Sequence, residues 1–148
     1  MSKRLEAPAP EHASAFADLV ERFALNRNEA IDVIRKGLPA TVLKEASEYF
    51  EVPLSKIRAI VRLPESTAAR LVQQQGEVDA AVSERIWRLA DVVRMATEVF
   101  EDEAAAKTWL KSPHRSFLNV APMDYLDTEP GASSVRQVLN AIATGGAA

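Results

Sequence analysis

The sequence predicts an all-α protein, and three observations carry that reading. Glycine is scarce, with five in 148 residues, so turns are few. Long stretches are rich in Ala, Leu, Glu and Arg, which are strong helix formers. No run alternates apolar and polar residues for long enough to make a strand. The composition, 47% hydrophobic and 26% charged, suits a chain that buries its own core, and it excludes a β-sandwich, a collagen-like fibre and disorder throughout.

Residues 1–12 carry Pro8 and Pro10 without an apolar period and read as a loose arm. Phe16, Leu19, Val20 and Phe23 then recur at the i, i+3, i+4, i+7 spacing of one helix face. A second helix is expected over residues 28–36, with Ile31 and Ile34 inward, and Gly37 after a basic residue stops it. Residues 41–50 place Val42, Leu43, Ala46 and Phe50 on one side. Pro53 breaks the chain, and residues 55–61 make a short helix with Ile57, Ile60 and Val61 apolar. Arg62 and Leu63 form the next turn, and Pro64 opens a helix that runs to about Gln75 and stops at Gly76. Three short helices so closely spaced form a helix-turn-helix unit.

Ser83 is expected to cap the longest helix, over residues 84–100. Ile86, Leu89, Ala90, Val93, Ala96 and Phe100 make one stripe, and Trp87, Val92, Met95 and Val99 widen it. A helix apolar over that much of its girth must be covered from two sides, so it is shared between two cores. Residues 102–110 give another helix, with Ala106, Trp109 and Leu110 inward, ended by Ser112 and Pro113. A loop with Phe117, Leu118 and Pro122 leads to a helical turn at residues 123–126. The last helix, residues 132–143, has Val135, Val138, Leu139 and Ile142 in register as core, and Gly145-Gly146-Ala147-Ala148 is a flexible tail. Three divisions follow. Residues 1–36 are an arm and first helices, a candidate for dimerisation. Residues 37–81 are the helix-turn-helix module. Residues 82–148 are a small helical C-terminal module that includes the shared helix.

Charge is uneven. The chain has 18 basic and 21 acidic residues, a net charge of −3. Between Val52 and Gly76, however, Lys56, Arg58, Arg62 and Arg70 stand against the single acid Glu65. In a helix-turn-helix the second helix enters the major groove and its N-terminal side chains meet base edges. Here those are Glu65, Ser66, Thr67 and Arg70, with Gln73 and Gln74 behind. Ser and Thr suit phosphate oxygens as well as bases, and Arg70 can fork onto guanine. A short helix with a solvated polar face stands as the bland alternative.

Catalytic arrangements are missing from the pattern. Cysteine is absent, which removes disulfides, thiolate nucleophiles and thiolate metal sites. His12 and His114 are lone loop histidines without metal-ligand spacing. Asp124, Asp127 and Glu129 near Tyr125 lack the regular ligand spacing and glycine of a calcium loop, and read as a solvated acidic turn. No nucleophile elbow, P-loop or dinucleotide fingerprint occurs. The expectation is a non-enzyme without a cofactor. The N-terminus shows no apolar signal region, and the apolar stretch 86–100 is interrupted by Arg88, Asp91, Arg94 and Glu98. A cytoplasmic chain that does not span a membrane is expected.

The C-terminal third carries a resemblance. Ser83-Glu84-Arg85-Ile86-Trp87-Arg88-Leu89-Ala90, Val99-Phe100 and Ala104-Ala105-Ala106-Lys107-Thr108-Trp109-Leu110 come in order. Leu118-Asn119, Pro122 and Leu126-Asp127-Thr128-Glu129-Pro130-Gly131 follow, then Val135, Leu139, Ile142 and Gly145. Upstream lie Gly37-Leu38-Pro39 and Arg62-Leu63-Pro64-Glu65-Ser66-Thr67. Over residues 30–146 the chain resembles antitoxins of the Xre/MbcA/ParS group. It departs from them in the single Arg70 after Ala68-Ala69, where paired arginines are common. It departs again in Asn119-Val120-Ala121, where a Gly-rich stretch and a basic residue are more usual.

The resemblance implies a type II antitoxin paired with a RES-domain toxin, itself similar to ADP-ribosyltransferases and depleting NAD. The C-terminal module is then expected to cover the toxin's active-site cleft, and the helix-turn-helix to repress the operon of both. DNA contacts are expected at Lys56, Arg58, Arg62, Ser66, Thr67, Arg70, Gln73 and Gln74. Toxin contacts are expected at Asn119, Pro122, Met123, Thr128, Gly131, Thr144, Gly145 and Gly146. A homodimer inside a larger toxin–antitoxin complex is expected, since two half-sites multiply affinity. A free-standing repressor, or an adaptor binding another protein through the C-terminal module, remains open.

Overall fold

The computed structural model describes residues 14–23 and 26–145. The arm with His12, the side chain of Phe23, and Gly146 with the tail beyond it lie outside the described residues. Among the described residues there is no strand, only two isolated antiparallel bridges, Pro39 with Glu77 and His114 with Val120.

Helix α1, Ala15–Asp18, starts where the Ser14 side chain accepts from the Ala17 amide, and it continues as a π-helical turn over Leu19–Phe23. Phe16 and Leu19 are buried, as their spacing requires. Helix α2, Arg27–Lys36, is capped by Asn26 and ends at Gly37. That glycine has a φ of 97°, and a Cβ on it would stand 2.6 Å from the Val78 carbonyl oxygen. The expectation for Ile31 is corrected here. Ala30 is buried and Val33 packs on the core, while Ile31 is 43% exposed. Apolar residues on both sides of α2 offered two stripes, and the core takes the one with Ala30 and Val33.

The tri-helical unit is α3 Val42–Phe50, α4 Leu54–Val61 and α5 Glu65–Gln73. Val42, Leu43, Ala46, Phe50, Ile57, Ile60, Val61 and Ala68 form its core. Arg62, with a φ of 61°, turns the chain after α4 in the left-handed region. The carbonyl left open at Val61 accepts from Arg85 Nη1 at 3.2 Å, which ties this turn to the next long helix.

That helix, α6, spans Ala80–Phe100 and begins earlier than expected. Asp79, not Ser83, is the N-cap: its carboxylate accepts from the Val82 amide. Ser83 lies inside the helix, fully buried, and its hydroxyl accepts from the Leu38 amide at 2.9 Å. A serine can cap a helix or satisfy a passing strand of backbone, and here the second role takes it. The Val78 amide bonds back to Leu38 O and the Ala40 amide to Gly76 O, so the segment after α2 is stitched to the start of α6.

Helix α6 packs against α2, the π turn, α4 and the two helices that follow it, as a helix shared between two cores must. Ile86, Leu89, Ala90, Val92, Val93 and Ala96 are buried. Helix α7, Glu103–Lys111, is capped by Asp102, and two 3₁₀ turns follow at Arg115–Phe117 and Pro122–Tyr125. Helix α8 runs Glu129–Ala143, three residues earlier than expected, because Thr128 caps it and Pro130 is tolerated in a first turn. Val135 and Leu139 are buried, whereas Val138 and Ile142 are half-buried at its edge.

Candidate functional site

The charged residues of the tri-helical unit stand on its outer side. Arg62, Ser66, Arg70, Gln73 and Gln74 are exposed, while Arg58 and Thr67 are half-buried. Ala68 is the buried residue of α5, so the opposite face, with Ser66, Ala69, Arg70 and Gln73, points to solvent. Arg70 Nη1 makes a long bond to Gln74 Oε1 at 3.4 Å, a contact easily exchanged for another acceptor. Pro64 provides no side-chain cap for α5, which leaves first-turn amides open beside Ser66 and Thr67. A helix start of this kind, flanked by arginines, can hold phosphate oxygens while side chains reach base edges.

Lys56 is placed differently from its neighbours. Its Nζ donates to Asp124 Oδ1 at 2.9 Å, joining α4 to the second 3₁₀ turn. Lys56 is thus engaged within the chain and is not a free surface cation.

The acidic turn is solvated as expected, with the Glu129 side chain 62% exposed, but two of its three carboxylates are also paired. Asp124 pairs with Lys56. Glu129 pairs with Arg88 and Arg136, at 3.4 and 3.2 Å. Arg136 reaches on to Asp91, which also holds Arg94, and Arg94 holds Glu98. Arg88 is only 6% exposed, and its Nη1 donates to the Leu126 carbonyl oxygen at 3.0 Å. Burial lowers the pKa of its guanidinium, and the charge of Glu129 opposes that loss. Of the charges that interrupt the apolar stretch of α6, Arg88 and Asp91 therefore bind α6 to α8, while Arg94 and Glu98 pair along α6 itself. Among the described residues no group of acids, histidines or cysteines could hold a metal ion.

The expected toxin-facing residues separate into two sets. Pro122 and Met123 are buried in the chain's own core, so they shape the turn and offer no surface, a correction to their expected role. Asn119, Thr128, Thr144 and Gly145 are exposed, and Gly131 is half-buried. Sequence reasoning assigned no role to Leu118, which is 82% exposed, and Val120 beside it is 40% exposed. The signal was present as an apolar residue between Phe117 and Asn119, but spacing alone cannot tell a buried apolar side chain from a displayed one.

Among the described residues no helix is long and apolar enough to cross a membrane. An outward helix-turn-helix face and a second helical module on one long helix define a DNA-binding protein with a separate docking module. Two family models match in tandem. The antitoxin Xre-like helix-turn-helix domain covers residues 29–91, and the antitoxin Xre/MbcA/ParS C-terminal toxin-binding domain covers residues 95–145. The matches meet inside α6. Similar proteins include Antitoxin Xre of Pseudomonas putida, 30% identical over 112 residues, 76% of this chain and 69% of that one. Antitoxin Xre of Photorhabdus laumondii is 29% identical over 114 residues, 76% and 77% of the two chains. Antitoxin Xre of Yersinia enterocolitica is 26% identical over 116 residues, 78% of each. The chain belongs to the Xre/MbcA/ParS antitoxin family: it is a type II antitoxin with a DNA-binding and a toxin-binding domain, and not an enzyme.

Proposed function

We propose that this antitoxin neutralises a RES-domain toxin that consumes NAD, by covering the toxin's active-site cleft. We propose also that its helix-turn-helix represses the operon encoding both. The observation that carries the reading is the packing of α6: it joins α4 of the tri-helical unit, whose outer residues are basic, to α7 and α8 of the docking module. Operator contacts fall to Arg58, Arg62, Ser66, Thr67, Arg70, Gln73 and Gln74, with Lys56 shared with Asp124. Toxin contacts fall to Asn119, Thr128, Gly131 and the end of α8 at Thr144 and Gly145, continuing into Gly146. The modules divide near residue 81, with α6 serving both and residues 1–36 serving self-association in the cytoplasm.

A homodimer completes the reading. Exposed Ile31 lines a groove with Ile34 and Trp87, and the Trp87 indole N–H has no acceptor among the described residues. Expressing the toxin encoded beside this chain, with and without the antitoxin, while following growth, NAD and operator occupancy tests neutralisation, NAD consumption and repression, and the mass of the free antitoxin in solution tests the homodimer. Unchanged NAD under toxin expression alone overturns the RES assignment.

A further inference from the structure

We infer that Leu118 is the apolar anchor by which the toxin-binding domain grips its toxin, entering a pocket on the toxin whose rim is acidic. The inference rests on the toxin-binding assignment and adds to it a residue and a partner chemistry.

Leu118 departs from ordinary behaviour in two ways at once. It is 82% exposed, which wastes a large apolar side chain in water. It also takes a φ of 55°, in the left-handed region that L residues other than Gly and Asn rarely occupy. Asn119 follows with a φ of 63°, so two consecutive residues hold this conformation. Nothing among the described residues benefits from placing Leu there, since a glycine would relieve the strain and an asparagine the exposure. Strain of this kind persists where the surroundings impose it, and it clusters at working surfaces.

The surroundings do impose it. Phe117 is buried at 1% exposure and meets Trp109 and Tyr125 edge-on, with centroids 6.1 and 5.1 Å away. The Phe117 and Asn119 amides both bond to the His114 carbonyl oxygen, at 3.0 and 2.8 Å, and the Leu118 amide bonds to Arg115 O. Val120 N closes on Phe117 O, and His114 N on Val120 O. The turn is thus rigid, and it holds Leu118 out before any partner arrives, which reduces the ordering cost of binding. Val120, 40% exposed, widens the apolar tip.

Charge indicates the partner's complement. From Ala104 to Met123 the sequence has no acidic residue and carries Lys107, Lys111 and Arg115. Lys107 lies over the Tyr49 ring, but Lys111 and Arg115 make no ion pair among the described residues. A tip whose apolar Leu118 and Val120 stand in one turn with exposed Arg115, whose carbonyl accepts from the Leu118 amide, fits a pocket that is apolar within and acidic at its edge. All of these residues lie within the matched toxin-binding domain, 95–145.

The substitution that tests this is Leu118→Gly, because it separates folding from binding. Glycine removes the side chain and accepts the left-handed φ, so thermal stability should hold or rise. Affinity for the co-encoded toxin, measured by titration of the purified proteins, should fall by about thirtyfold, as for a hot-spot residue. Operator binding by the free antitoxin should not change. Arg115→Glu should slow association, and the effect should fade at high salt. Unchanged toxin affinity in Leu118→Gly overturns the anchor while leaving the toxin assignment intact. Failure of the unmodified chain to bind that toxin overturns the assignment itself. A shift in the free antitoxin's oligomeric state on Leu118→Gly would make a second copy of this chain the occupant and overturn the inference.

Discussion

The carbonyl oxygen of Tyr125 stands 1.9 Å from where a Cβ on Gly131 would lie. The second 3₁₀ turn therefore packs directly onto the first turn of α8, where the Gly131 amide donates to Thr128 Oγ1. A methyl here cannot be absorbed by a side-chain rotation, because the atom it meets is backbone. Gly131→Ala gains about 1 kcal/mol of helix propensity but is expected to lose more to overpacking, with a net cost of about 2 kcal/mol. Chemical unfolding of the variant checks it. Equal or greater stability would mean that the turn and α8 move apart freely.

Leu89 is fully buried on α6, the helix common to both modules. Leu89→Ala should cost about 2–5 kcal/mol, the range for a large apolar core truncation. Because α6 packs against α2 and α4 as well as α7 and α8, operator binding and toxin binding should weaken together. Loss of operator binding alone would assign the helix to one module.

Operator contacts divide by kind. Arg70→Ala should weaken operator binding by about 1–3 kcal/mol and relax the sequence preference at one base position. Arg58→Ala, acting on phosphate, should weaken all sequences alike and reduce the salt slope by about 1. Lys56→Ala has a different expected signature, since its half-exposed pair with Asp124 is worth about 0–1 kcal/mol of stability. If Lys56 also reaches phosphate, Asp124→Asn should strengthen operator binding by freeing it. Binding curves for Arg70→Ala that overlay the unmodified protein would move the recognition face elsewhere on the unit.

Tyr49 links α3 to α7 by donating its hydroxyl to Glu103. Burial first, then that bond and the charges of Glu103 and Glu21, push its pKa well above the usual 10.0. The folded protein therefore keeps the phenol proton while the unfolded chain releases it. That stabilisation is whole below about pH 10 and is lost as the pH rises past it. Unfolding midpoints at about pH 9 and about pH 11 should differ more for the unmodified chain than for Tyr49→Phe. An equal alkaline drop in both would remove Tyr49 from the account.

Much of this was legible in the residues, and the failures have physical causes. Phe50, Ile57, Val61, Leu89 and Leu139 announced their burial through helical spacing, because each has polar neighbours on the far side. Ile31 did not, because Ala30, Val33, Ile31 and Ile34 offer two apolar stripes and only the packing of α6 chooses between them. Ser83 and Asp79 are both good caps, and the Leu38 amide that claims the Ser83 hydroxyl lies 45 positions away. Arg88 reads as an interruption because its carbonyl partner, Leu126, is 38 positions distant. Local pattern locates helices well. It cannot see which polar group another segment will satisfy.

The end of α8 gives the last prediction. The Thr144 hydroxyl donates to Asn140 O and Ala141 O, its amide donates to Asn140 O, and the Gly145 amide adds one last bond to Ile142 O. Gly145 has a φ of 82°, and no atom lies within 4 Å of a Cβ built there, so it points into open space. Deleting residues 145–148 should therefore leave the fold and operator binding intact. The residues removed, Gly145-Gly146-Ala147-Ala148, are small and uncharged, which lets a backbone approach another protein closely, as entry into a narrow cleft requires. With the toxin co-expressed, the truncated chain should permit NAD loss and growth arrest that the full chain prevents. Gly145→Trp should act in the same direction if the cleft is tight, with a small local cost because tryptophan is strained at that φ. Growth rescue by the truncated chain equal to that of the full chain, at equal protein level, would move the neutralising contacts to residues 118–131.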